Sequence, residues 1–269
     1  MKAGWLKYYA AAYLIFLYLP IVLLPLFAFN DSQIIAFPLT GFTTRWFVEL
    51  TDVSALHDAV GNSLFIAVIT ALFATCLGLC AARVSARYAF RGKGAMIGLI
   101  MLPLVMPEII VAVALLIVVV QVLGLGLSHW TVILAHTLIC LPFCTAILTA
   151  AFQNMDASLE EAAIDLGETR WNSFRLVTLP LVMPGITASL LISFTISLDE
   201  FIIAFFLTGA APTLPVYIWG LLRFPGQIPV VMALGTILVA ASAILLTLAE
   251  IMRRRGMARS GRTDEGGFL

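Results

Sequence analysis

Apolar residues fall in six long runs separated by shorter polar stretches: residues 8–29, 60–82, 95–121, 131–152, 182–207 and 229–251. Each run holds the roughly 20 apolar residues that an α-helix needs to cross a hydrocarbon core about 30 Å thick. The pattern predicts an all-α membrane protein with six transmembrane helices in a single domain, residues 1–269. The first run follows Lys2 and Lys7, is too long for a signal-peptide core and lacks a small-x-small cleavage site. It reads as an uncleaved first span, kinked at Pro20 and Pro25. Residues 30–59 are polar, and Trp46 with Phe47 predicts a short interfacial helix there.

The pattern changes in the loop 154–181. Leu159, Ala162, Ala163 and Leu166 recur at helical spacing, which predicts a short helix with that face packed inward. Ser158 with Glu161 three residues on predicts a capping-box start, and Gly167 a C-terminal stop. Glu160, Glu161, Ile164 and Asp165 are then left facing outward. A second short helix is expected through Trp171, Phe174 and Arg175, ended by Pro180. By its local pattern alone, the loop is a capped surface connection between spans.

Composition agrees with a bilayer location. Hydrophobic residues make up 62% of the 269 and charged residues 11%, with mean hydropathy +1.06. A soluble domain carries about 25% charged residues. Six spans place both termini on one side. That side holds Lys2, Lys7, Arg83, Arg87, Arg91, Lys93, Arg170, Arg175 and the five tail arginines, against only Arg45 and Arg223 opposite. The positive-inside rule puts both termini and the acidic loop in the cytoplasm. The tail beyond the last span reads as polar and frayed. Cys76, Cys80, Cys140 and Cys144 all lie in apolar runs, as small packing residues. His136 with Cys140 and Cys144 offers a soft-metal alternative, which the ordinary packing of such residues in membranes outweighs.

One repeat is visible: LPLVMPEI from Leu102 to Ile109 and LPLVMPGI from Leu179 to Ile186, with Glu108 in the position of Gly185. Both copies are expected to break the helix where they enter a span, because proline frees carbonyls. Three acids lie in apolar runs, Glu108, Asp199 and Glu200. An ionised carboxylate at mid-bilayer costs on the order of 3 kcal/mol, and such residues usually mark a pathway. On one continuous helix Asp199 and Glu200 would point about 100° apart, one lining a cavity and the other an interface. The alternative is a solvated carboxylate with a structural role. Trp46, Tyr217 and Trp219 could add aromatic faces for an ammonium group, although anchoring at the lipid interface is the commoner job for any one of them.

The run Glu161-Ala162-Ala163, Gly167, then Val177-x-Leu179-Pro180 resembles the EAA loop of ABC importer permeases, departing only at Val177, where isoleucine is usual. The resemblance implies a type I importer permease fold. It also implies that Glu160, Glu161, Ala162, Ala163, Ile164, Asp165, Gly167, Leu179 and Pro180 couple to an ATPase. GFTTRW, AHTLICLPF and FTISLDEFIIAFFLTG are similar to the spermidine/putrescine permease branch, whose members carry acids at the places of Glu108, Asp199 and Glu200. That implies a small cationic solute such as putrescine or spermidine, with an opine, an amino-acid derivative or another nitrogenous solute as the alternative. No G-x-x-x-x-G-K-[ST] phosphate loop is present, so the chain is not expected to be an enzyme or to bind a cofactor. By resemblance, ATP and Mg belong to two ATPase subunits. A second homologous permease, forming a heterodimer, and a periplasmic solute-binding protein complete the assembly in the bacterial inner membrane. Span one is expected to wrap the partner permease. No nucleic-acid partner is implied. An ion-coupled secondary transporter and an intramembrane enzyme are the competing classes; the second lacks an acid near His136 in sequence.

Overall fold

The computed structural model describes residues 4–259. Apart from one antiparallel bridge between Asn30 and Phe42, the described residues form helices, turns and irregular segments. The fold is all-α, and among the described residues five helices are long and apolar enough to cross a membrane, or six if one sharply bent pair counts as one span. The chain divides into two compact units.

One unit holds the chain up to Ser54 and from Ile218 onward. Here α1 (Gly4–Ala28) and α2 (Arg45–Thr51) both pack on α12 (Ile228–Arg259). The backbone of α12 stays helical through Arg259, past the point where fraying was expected; residues from 260 on lie outside the described set. Leu24 lies where a Cβ on Gly235 would meet it at 3.4 Å. Most of α1 remains uncovered, with Tyr8 and Phe16 almost fully exposed. A helix so apolar and so bare needs lipid or another chain against it.

The other unit, Ala55–Tyr217, contains the repeat and both candidate sites. Its helices are α3 (Ser54–Arg87), α4 (Lys93–Val105), α5 (Glu108–Ile117), α6 (His129–Gln153), α7 (Ser158–Asp165), α8 (Arg170–Ser173), α9 (Leu179–Asp199) and α10 (Ile202–Leu207), with the first turn of α11 (Leu214–Leu221), in which the unit ends at Tyr217. The central helix is α6. One buried cluster joins Ile66 of α3, Val111 and Ala112 of α5, Ile133 of α6 and Ala204 and Leu207 of α10. A second joins Ala74 and Ala82 of α3, Cys140, Cys144 and Leu148 of α6 and Val182 of α9. Lipid tails give little hydrophobic drive between helices, so close backbone approach through small residues does the work. A Cβ on Gly78 would lie 2.6 Å from the Cys144 Cβ, and one on Gly185 2.7 Å from the Ala151 Cβ. Gly78→Val should therefore cost about 1–3 kcal/mol by overpacking. The expected outcome is lower accumulation and a lower melting temperature of the purified protein; an unchanged melting temperature would remove Gly78 from this account.

The two copies of the repeat behave differently from the expectation that both break. In the first, Met106 is extended ahead of Pro107 (ψ 140°), and α4 and α5 meet at a 109° bend. The second copy does not break: one helix runs from Arg170 to Asp199 through Pro180 and Pro184. A π turn over Phe174–Thr178 widens the ladder just before Pro180, which has no N–H to give. Gly185 then seats the helix against Ala151, a place Glu108 could not take in the other copy. Span five also stops earlier than expected. It ends at Asp199, Glu200 is extended (ψ 116°), and α10 begins at Ile202.

Candidate functional site

The loop helix α7 starts at Ser158, but not through a capping box. Ala157 holds the N-cap position, and the Ser158 N–H donates to Asp156 Oδ1 at 2.9 Å. That bond, with the Ser158 hydroxyl and the charge of Arg87, holds the Asp156 carboxyl below its ordinary range. The stop at Gly167 is as expected. Its φ is +92°, its N–H reaches Ile164 O at 2.9 Å, and the Glu168 N–H reaches Ala163 O at 3.1 Å. These two bonds form a Schellman motif.

The faces of α7 are partly reversed from the sequence expectation. Glu160 turns inward: its side chain accepts from the Thr178 hydroxyl and lies 4.0 Å from Arg83 Nη2 and 3.6 Å from Arg87 Nε. The Ser173 hydroxyl donates to the Glu160 carbonyl at 3.3 Å. Leu159 and Leu166, expected to pack inward, are 45% and 87% exposed. The reason is what α3 offers. Its last turns present two guanidinium groups, and a carboxylate is the side chain that satisfies them. Glu161, Ile164 and Asp165 face outward as expected, and Ala162 joins them; Ala163 and Leu179 are half-buried and Pro180 is exposed. Thus α7 shows the outside a ridge of Leu159, Ala162 and Leu166 beside Glu161 and Asp165.

The intramembrane acids come together at the two helix breaks. Glu108 stands exposed in the first turn of α5, just after the bend, and α5 packs on α10. Glu200 is buried at the second break, where its Oε1 accepts the Ile203 N–H at 3.0 Å and caps α10. Glu108 and Asp199 are both within electrostatic reach of Glu200. Asp199 is exposed, as is Thr195 below it. Two helix N-termini, each carrying roughly half a positive charge, thus open at a group of three carboxylates. No Lys or Arg lies between Lys93 and Arg170 or between Arg175 and Arg223. The expectation of two acids on one continuous helix is corrected: the helix ends between them, and the break sends one inward.

The polar column below Glu200 is internal. Ser197 meets His136 Nδ1 at 2.8 Å, and Ser193 meets Cys144 Sγ at 2.8 Å, between α9 and α6. These pairings are what His136 and Cys144 do, and no group of three potential metal ligands occurs among the described residues. Trp46 departs from its expected place on a path. It is 3% exposed, donates Nε1–H to Asn30 O at 2.8 Å, and has the Arg45 guanidinium 4.0 Å from its ring centre. Tyr217 is half-buried and Trp219 exposed, both on α11. Sequence reasoning missed Arg83 and Arg87 as anchors of Glu160. Their spacing of four residues near the end of a span was the available signal.

Residues 74–256 match the family described as binding-protein-dependent transport system inner membrane component. The spermidine/putrescine transport system permease protein PotC of Escherichia coli (strain K12) is 35% identical over 240 residues, covering 89% of this chain and 90% of that protein. The putrescine transport system permease protein PotI of the same organism is 36% identical over 266 residues, covering 92% of each. Among solved structures, a bacterial alginate ABC transporter in complex with an alginate pentasaccharide-bound periplasmic protein superposes with a TM-score of 0.72 at 23% identity, covering 93% of this chain and 94% of that one.

Proposed function

Because the chain belongs to the family of binding-protein-dependent transport system inner membrane components, a multi-pass permease of an ATP-driven ABC importer, we propose that its solute is a small organic polycation of the polyamine class. The observation that carries this is the gathering of Glu108, Asp199 and Glu200 at two helix breaks, remote in sequence from any Lys or Arg. Like charges gathered at one place repel, and a cation carrying several ammonium groups relieves that repulsion. The relatives named for spermidine and putrescine support the same class.

The partners follow from the same reading. ATP and Mg are bound by two ATPase subunits in the cytoplasm, α7 is the helix that docks on one of them, and both termini lie on that side. A second homologous permease completes the path, and the bare face of α1 supports its contact there. A periplasmic binding protein delivers the solute. Calorimetric titration of that binding protein with putrescine, spermidine, opines and amino-acid derivatives tests the solute class, alongside uptake by the reconstituted complex. Tight polyamine binding with ATP-dependent polyamine uptake is expected. A binding protein that takes an opine and rejects polyamines would overturn the solute, and uptake driven by an ion gradient without the ATPase would overturn the partners.

A further inference from the structure

Two pockets that share Arg83 and Arg170 lie where the end of α3 meets the loop carrying α7 and α8. One, of about 430 Å³, is of mixed polarity and holds the charged groups Arg83, Arg87 and Arg170 together with Glu160 and Glu161. The second, of about 540 Å³, is apolar, with walls from Cys76, Leu79, Cys80, Trp171 and Phe174. Each volume is in the range of ligand pockets, ~300–1,000 Å³. Glu160 does not use up the donors: Arg83 Nη1, Arg87 Nε and Arg87 Nη2 are enclosed without a hydrogen-bond acceptor.

The polarity is ordered along one helix. Cys76, Leu79, Cys80, Arg83 and Arg87 fall at i, i+3, i+4, i+7 and i+11, one stripe of α3. The stripe passes from apolar to charged over roughly 16 Å towards the loop. Trp171, 68% exposed, stands at the boundary, where tryptophan concentrates at membrane surfaces. Arg83 is held there over the Phe174 ring at 4.1 Å.

We propose that the cytoplasmic end of α3 and the start of the Arg170–Asp199 helix form a binding site for one anionic phospholipid, its phosphate against Arg83, Arg87 and Arg170 and an acyl chain in the Cys76–Phe174 pocket. An acidic side chain from the ATPase would meet the arginines and leave the apolar pocket open. An apolar helix of the partner permease would fill the pocket and leave the arginines unmet. A lipid does both, and cytoplasmic basic pockets beside membrane helices suit anionic headgroups. The site ties the lipid to the loop, since Arg83 and Arg87 are the groups that hold Glu160. The assignment rests on the cytoplasmic placement of this loop argued above.

The test uses the whole permease–ATPase complex, exchanged through detergent and reconstituted in phosphatidylcholine with or without phosphatidylglycerol. Mass spectrometry of the re-solubilised complex reads the retained lipid, and ATP-driven uptake of the wild type is followed in parallel. Phosphatidylglycerol should be retained in preference to phosphatidylcholine. Arg170→Gln removes one charge and should weaken that retention about fivefold, equivalent to ~1 kcal/mol for one arginine near the surface. Cys80→Trp, at an exposed position, fills the apolar pocket and should displace the lipid without touching the charges. Equal retention of the two lipids, or wild-type retention by both variants, overturns the proposal. So does stabilisation of the lipid-stripped complex by inorganic phosphate to the level given by phosphatidylglycerol, because the site would then hold free phosphate. Wild-type uptake that proceeds normally while lipid selectivity fails leaves the transport reading intact and removes only this one.

Discussion

Replacing Gly167 with valine is expected to abolish ATP-driven uptake while the permease still accumulates in the membrane. The expectation is conformational. A Cβ at this position would meet nothing within 4 Å, so there is no clash to relieve. What fails is the backbone: φ is +92°, where an L-residue costs roughly 1–2 kcal/mol and a β-branched one is an outlier. An eight-residue helix has little cooperative reserve, and the two bonds that close it at Ile164 and Ala163 both depend on this residue's turn. Valine should unwind the last turn of α7 and move Leu166 and Asp165 off the docking ridge. Asparagine tolerates the left-handed region better, so Gly167→Asn should retain much of the activity. Glu161→Lys should give the same loss as valine by another route, since Glu161 is exposed and its change alters the docking surface and not the helix. Substrate-stimulated ATPase activity and co-purification of the ATPase are the readouts. Full transport by both Gly167→Val and Glu161→Lys would end the coupling assignment.

What could be read from the chain beforehand follows a physical division. Local signals held: six apolar runs gave an all-α membrane chain, Gly167 ended a helix, and a short helix formed at Trp46. Such features depend on a few neighbouring residues. Features set by a distant partner were not legible. Helical spacing in α7 shows which residues share a face, but which face turns inward depends on Arg83 and Arg87, about 75 residues earlier. The same applies to the repeat. Seven of eight residues are identical in the two copies, yet one bends by 109° and the other stays helical. The difference lies in what each meets: Gly185 abuts Ala151, whereas Glu108 opens a helix end. Exposure of Leu159 and Leu166 is a third case, since nothing among the described residues covers them.

The second large effect is expected at the acids. Asp199→Asn, Glu200→Gln and Glu108→Gln should each leave the permease folded, with at least one cutting uptake of a cationic substrate about tenfold, near 1.4 kcal/mol in barrier terms. The structure separates their roles. Glu200 is buried and caps α10 through one carboxylate oxygen. Glutamine keeps a carbonyl oxygen in that place, so the cap survives and only the charge is lost. Glu200→Ala removes both and should lower the melting temperature by the cost of a lost cap, about 1 kcal/mol. Asp199 and Glu108 are exposed beside the break, so their amides should leave stability alone and act on uptake. If the group holds a polycation, the loss should grow from single to triple amide, and should be larger for a solute with more ammonium groups. The measurement is initial uptake rate at saturating binding protein, paired with the melting temperature of each variant. Normal transport by all three single amides and by the triple amide would show that these carboxylates only cap and solvate the helix breaks, and the solute would then not need to be a cation.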